Sequence, residues 1–161
     1  MASVSCRTDR EPLPGGEIAD LEMIIHDAVQ EGTPRDLAER LSRSYGSETP
    51  AITRLSRTHP DLAAPIVAGY PAIRAELVYA LRREMAMTLS DLLIRRTHLF
   101  YEVTGHAVAE AAAVVDLVAA ELGWDAGRKA SELAAYLDDV HRGAAFRTEL
   151  REKFGKAPPA P

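Results

Sequence analysis

Ile18, Leu21, Ile24, Ile25 and Ala28 recur at steps of three and four, and the same mixture of odd and even steps returns from Ala107 to Leu122 and from Ala130 to Val140. A strand keeps one face with even steps only, whereas a helix gathers i, i+3, i+4 and i+7 on one side. The chain is therefore committed to helices. Only 6% of its residues are aromatic, while alanine is abundant. That bias suits helices packed closely through small side chains better than a sheet rich in β-branched residues.

Punctuation divides the chain. Residues 1–17 hold Pro12, Pro14, Gly15 and Gly16 without periodicity and read as a linker. A first helix is expected over Ile18 to Gln30, stopped by Gly32. Thr33-Pro34 and Thr49-Pro50 each set a capping hydroxyl before a proline, starting helices that end near Ser44 and Arg57. His59-Pro60, Pro65, Gly69 and Pro71 then enforce an irregular segment anchored by Leu62, Ile66 and Val67.

Ile73, Leu77, Leu81 and Met85 stand at successive steps of four and predict a long core helix from Ala72 to Met87. Thr88 and Asp91 have the spacing of a capping box, so a second helix opens at once, with Leu89, Leu92, Leu93, Leu99 and Phe100 on one side. The two should meet at a sharp corner. A further helix ends at Gly123, Asp125 caps the last one, and its expected inner face is Ala130, Leu133, Ala134, Leu137 and Val140. From Gly143 regularity is expected to fail, and Pro158-Pro159-Ala160-Pro161 closes a fraying tail. The expectation is an all-α fold: one compact bundle of six or seven helices over 18–142, with a linker at 1–17 and a tail at 143–161.

Two charges fall on apolar faces. Advancing ~100° per residue, Glu84 lies in the stripe of its helix and Arg96 lies between Leu92, Leu89 and Phe100 on the next. An unpaired buried ion costs several kcal/mol, so the two are expected to pair and fix the angle between the helices. The other reading is docking, with Arg95 or Arg96 reaching carbonyls or carboxylates of a partner. Asp91 and Arg95, four apart on the solvent side, would contribute only ~0.3–0.5 kcal/mol.

Much chemistry is excluded. No glycine-rich phosphate cradle and no nucleophile elbow occurs. His26, His59, His98, His106 and His141 are scattered without metal-ligand spacing; His141 reads as a core or edge histidine and Trp124 as a packing plug. Net charge is −5, which repels nucleic acid. No apolar stretch reaches the ~20 residues of a membrane span. The single cysteine, Cys6, rules out an internal disulfide, so a cytoplasmic address is expected.

The run Ala75 to Leu99 resembles the signature segment of the C-terminal domain of FAD-dependent glycerol-3-phosphate dehydrogenases and glycerophosphate oxidases. The elements that carry the likeness are Glu76-x-x-Tyr79, Glu84-Met85-Ala86, Thr88-Leu89, Asp91 and above all Arg95-Arg96-Thr97. Leu41 to Ser47 resembles the start of that domain, Ala119 to Trp124 its closing helices, and Cys6-Arg7-Thr8 with Pro12 to Gly16 the stretch joining it to the flavin domain. The likeness spans about Leu37 to Tyr136.

It implies a cap beside a flavin domain that holds FAD and oxidises glycerol 3-phosphate to dihydroxyacetone phosphate, with electrons going to quinone or oxygen. No catalytic, cofactor-binding or metal-binding residue of this segment follows from the likeness; Arg95, Arg96 and Thr97 are its docking candidates. The expected partner is the FAD-binding domain, in cis or in trans, with a homodimer possible in principle. Two other readings stay open. One is a helix-turn-helix regulator using Arg95 and Arg96, disfavoured because five arginines face four acids between Tyr70 and Thr104. The other is a free-standing interaction module.

Overall fold

The computed structural model describes residues 10–155; the expectations for Cys6, Arg7, Thr8 and Pro158 to Pro161 lie outside them. Among the described residues there are seven α-helices and no named strand, only an isolated antiparallel bridge between Pro65 and Ile73. By its internal contacts the chain divides into two compact units between Ala64 and Pro65, in the stretch where His59, Pro60 and Pro65 break helical geometry.

The first unit holds α1 (Leu21–Gln30), α2 (Arg35–Tyr45) and α3 (Thr49–Thr58), with 3-10 turns at Gly46–Glu48 and Pro60–Ala63. Asp20 starts α1 by accepting the Glu22 and Met23 N–H groups, so the helix begins later than Ile18. Neither expected threonine cap forms. Pro34 occupies the cap position of α2, and Thr49 is already inside α3, its hydroxyl buried without a hydrogen-bond partner. Ile25, Ala28 and Ala38 close against one another in the core.

The linker is pinned within this unit. Gly16 N–H donates to Leu13 O at 2.8 Å and Ser47 N–H donates to Gly15 O at 3.1 Å, so the Leu13–Gly16 turn lies on the end of α2. Gly46 takes φ +54°, and a Cβ there would sit 1.8 Å from Gly15 O. Only glycine permits that approach.

The second unit holds α4 (Arg74–Arg83), a π-helical turn (Asp91–Arg96), α5 (Leu99–Glu102), α6 (Val108–Leu122) and α7 (Ala126–Phe154). Its core joins Leu77, Ala80 and Leu81 of α4, Leu89, Leu92, Leu93 and Leu99, the α6 stripe Ala111, Val114, Val115 and Val118, and Tyr136 of α7. Three expectations need correction. The helix expected to reach Met87 ends at Arg83, because Met85 adopts φ +57° and lies 87% exposed instead of continuing the stripe. The helix after it is a π turn broken at His98, also left-handed, so Leu99 and Phe100 belong to a separate short helix. And α7 does not lose regularity at Gly143 but continues to Phe154.

Candidate functional site

The corner between α4 and the π turn carries the sequence's most distinctive residues. Ala80 O accepts N–H groups from Glu84 at 3.0 Å and Ala86 at 3.2 Å, so the left-handed residue Met85 folds the chain back over the last turn of α4. Arg96 closes this end. Its Nη2 donates to Glu84 O at 2.7 Å and its Nη1 stands 3.5 Å from Glu84 Oε2. The structure thus brings Glu84 and Arg96 together, but not in the core: their side chains are 23% and 40% exposed. With the helix ended at Arg83, Glu84 occupies a cap position, where a cation meets an orphan carbonyl.

The start of the next segment is held from two directions. Locally, Asp91 Oδ2 accepts from Met87 and Thr88 N–H, both at 3.1 Å, and Asp91 N–H donates to Thr88 Oγ1 at 3.0 Å, a reciprocal capping box. From a distance, α7 supplies two acceptors. Buried Glu132 accepts the Leu89 N–H through Oε2 at 3.0 Å, and Asp139 accepts the Ser90 hydroxyl at 2.5 Å. Tyr136, between them on α7, donates its hydroxyl to His106 O. Glu132, Tyr136 and Asp139 stand at i, i+4 and i+7, one face of the helix.

That polar face adjoins the expected apolar one, of which Leu133 and Val140 pack against the core. Ala130 and Ala134 are exposed, Leu133, Leu137 and Val140 are half-buried, and His141 is exposed instead of at an apolar edge. Trp124 packs beside the core, with the Arg128 guanidinium 5.4 Å from its ring.

The electrostatics follow these contacts. Burial would raise the Asp91 carboxyl, but the Met87 and Thr88 donors and Arg95 bring it below its ordinary value. Asp139 is also lowered, first by the Ser90 hydroxyl and then by Arg142 and Arg95. Burial pushes the Tyr136 phenol up to about 12, with Asp139 adding to it.

Of the three docking candidates, Thr97 is not available. It is buried, and both its N–H and its hydroxyl donate to Leu92 O at 2.9 Å, closing the π turn. Arg96 is engaged with Glu84. Arg95 bonds Asp91 at 2.9 Å but stays 64% exposed, which leaves it as the outward cation of the set. Behind it a cavity of about 520 Å³ is lined by residues of the π turn, α5 and α7.

Comparison with known proteins decides the kinship. The family description of the C-terminal domain of alpha-glycerophosphate oxidase matches residues 6–129. The chain belongs to this family. It is 34% identical over 130 residues to the probable mitochondrial glycerol-3-phosphate dehydrogenase of Dictyostelium discoideum, covering 80% of this chain and 20% of that protein. It is 32% identical over 121 residues to the glycerol-3-phosphate dehydrogenase of Mycobacterium leprae, covering 75% and 21%. The aerobic enzyme of Staphylococcus epidermidis is 26% identical over 151 residues, 86% of this chain and 26% of the relative. The chain thus spans about a fifth to a quarter of the length of these relatives. No solved structure matches it.

The family match takes in the whole corner but ends before Glu132, Tyr136 and Asp139. Apolar spacing passes over these residues; their signal in the sequence is an acid, a tyrosine and an acid at i, i+4 and i+7. Pyrophosphate groups seat on open helix N-termini, and here the starts of α1, the π turn and α7 are filled by the carboxylates of Asp20, Asp91 and Asp125. No helix among the described residues is long and apolar enough to cross a membrane.

Proposed function

We propose that this chain acts as the helical cap of an FAD-dependent glycerol-3-phosphate dehydrogenase, with a structural and docking role and no reacting group of its own. In that reading a flavin domain oxidises sn-glycerol 3-phosphate to dihydroxyacetone phosphate and passes electrons to quinone or oxygen, on the cytoplasmic side. The supporting observation is the corner. The residues that carry the family likeness are spent on capping: Glu84 and Arg96 close one helix, Thr88 and Asp91 open the next, and Thr97 closes the π turn. Arg95 remains to meet a partner, in cis, in trans, or in a second copy.

The helix-turn-helix reading is weakened by the same geometry. A recognition helix must enter a DNA groove and present several side chains along it. Here the segment is six residues of π turn, and both of its arginines are paired with acids.

A graft tests the proposal. In the Mycobacterium leprae relative, the segment that this chain matches is either deleted or replaced by this chain, and dye-coupled oxidation of glycerol 3-phosphate is measured. Deletion is expected to abolish activity and lower the melting temperature, and the graft to restore both. A deleted enzyme as active and stable as the intact one, or a graft no better than the deletion, overturns the cap role.

A further inference from the structure

The cavity beside the corner is not used by any contact described so far. One wall is Ile94 and Arg95 of the π turn, the other is Asp139, Arg142 and Gly143 of α7, and Phe100, Tyr101 and His106 lie between them. At about 520 Å³ it falls in the size range of small-molecule sites.

Its floor is built of rings. His106 stacks on Phe100 with centroids 4.6 Å apart, and Tyr101 meets Phe100 edge-on at 5.0 Å. Phe100 O can only accept, so His106 Nδ1 donates to it at 2.6 Å. A Cβ at Gly143 would come within 3.0 Å of Phe100 Cζ. Glycine inside a helix costs about 1 kcal/mol relative to alanine, and here it admits the ring to the cavity. His106 is itself left-handed, with φ +57°. Strained backbone of this kind persists where surrounding contacts over-determine it, and ligand clamps are among such places.

A guanidinium stands on each side of the rim. The Arg95 and Arg142 side chains come from different elements and are 64% and 70% exposed. Each has acidic neighbours, Asp91 for Arg95 and Asp138 and Asp139 for Arg142. A guanidinium has five N–H donors, more than these carboxylates occupy. Asp139 also accepts the Ser90 hydroxyl.

We propose that this cavity binds a small organic oxyanion, a phosphate or carboxylate group held between Arg95 and Arg142 with a ring or short apolar body lying on Phe100, Tyr101 and His106. The site does not depend on the cap role. Asp139, Arg142 and Gly143 lie beyond residues 6–129, the segment that the family description matches.

The test is a titration of the full chain with four probes, phenyl phosphate, benzoate, inorganic phosphate and phenol, followed through backbone amide chemical shifts. Saturable shifts are expected at Ile94 to His106 and at Asp139 to Gly143 with phenyl phosphate, with benzoate, or with both; the stronger of the two assigns the headgroup. Inorganic phosphate and phenol should each bind at least about tenfold more weakly, because each has half of the recognition. Arg95→Gln and Arg142→Gln should each weaken the better probe about tenfold. Tyr101→Ala should weaken it while leaving inorganic phosphate unchanged. All three side chains are exposed, and circular dichroism verifies that the variants stay folded. No saturable shift with any probe up to about 10 mM, shifts centred elsewhere, or undiminished binding by the Arg95→Gln/Arg142→Gln double variant overturns the proposal.

Discussion

The two units bend their backbones by different means. In the first, every described residue with positive φ is a glycine: Gly15, Gly32 and Gly46. In the second, Met85, His98, His106 and Ala107 also adopt left-handed geometry, all within one short stretch. For a residue with a Cβ that geometry costs roughly 1–2 kcal/mol, and something must hold it. The first unit avoids strain by composition. The second sustains it by contacts, through Arg96 on Glu84, Glu132 on Leu89, Asp139 on Ser90 and Tyr136 on His106. Turns made of glycine are set locally, whereas strained turns depend on a distant helix.

If that contrast is right, the largest loss in the first unit should come from adding one carbon. Gly46→Ala would place a Cβ against Gly15 O and force the Leu13–Gly16 turn off α2, at a cost of about 3 kcal/mol from overpacking and a disfavoured φ. Thermal unfolding measures it. A shift within experimental error would show that the turn is dispensable, and the first unit would no longer illustrate necessity.

In the second unit the matching loss should come from far along the chain. Glu132→Ala leaves the buried Leu89 N–H without an acceptor and removes the partner of Arg128 at 2.6 Å, so a loss of about 2 kcal/mol is expected. Glu132→Gln keeps an acceptor oxygen and should recover roughly half of that. Equal stability of Glu132→Ala and the parent would mean that α7 does not hold the corner.

These two positions also mark what could be read in advance. Helix class, the α6 stripe with its Gly123 stop, the Asp125 cap and the Thr88–Asp91 box follow from local spacing, and each is present. The end of α4 was not legible. Four apolar residues at steps of four predict continuation through Met85, and nothing local signals that the Arg96 guanidinium donates to the Glu84 carbonyl and closes the helix there. The inner face of α7 was legible only in part, at Leu133 and Val140, for a related reason. Apolar counting selects Ala130 and Ala134, while the helix turns inward the residues whose acceptors the corner lacks. Tertiary demand for hydrogen bonds outranked hydrophobic pattern at both places. The kinship was legible because the residues that carry it are themselves local caps.

A smaller effect is expected at the Glu84–Arg96 pair. Buried, reversing Glu84 would unfold the chain; half-exposed, Glu84→Lys should cost about 1 kcal/mol, from repulsion of Arg96 and a loosened carbonyl cap. A loss above about 3 kcal/mol in chemical denaturation would restore the buried-pair view.

The smallest expected change has the opposite sign. Met85 is almost fully exposed and makes its turn at φ +57°, so Met85→Gly removes the left-handed penalty and discards little packing. Greater freedom of glycine in the unfolded chain offsets part of the gain, leaving a stabilisation of about 0.5 kcal/mol. Denaturant midpoints compared at equal slope would measure it. Stabilisation would show that the corner tolerates avoidable strain, and that the methionine is retained for what its exposed side chain meets. Destabilisation would instead mean that the turn relies on the side chain, and the contrast between glycine-made and contact-held turns would fail at the residue where the strain is most exposed.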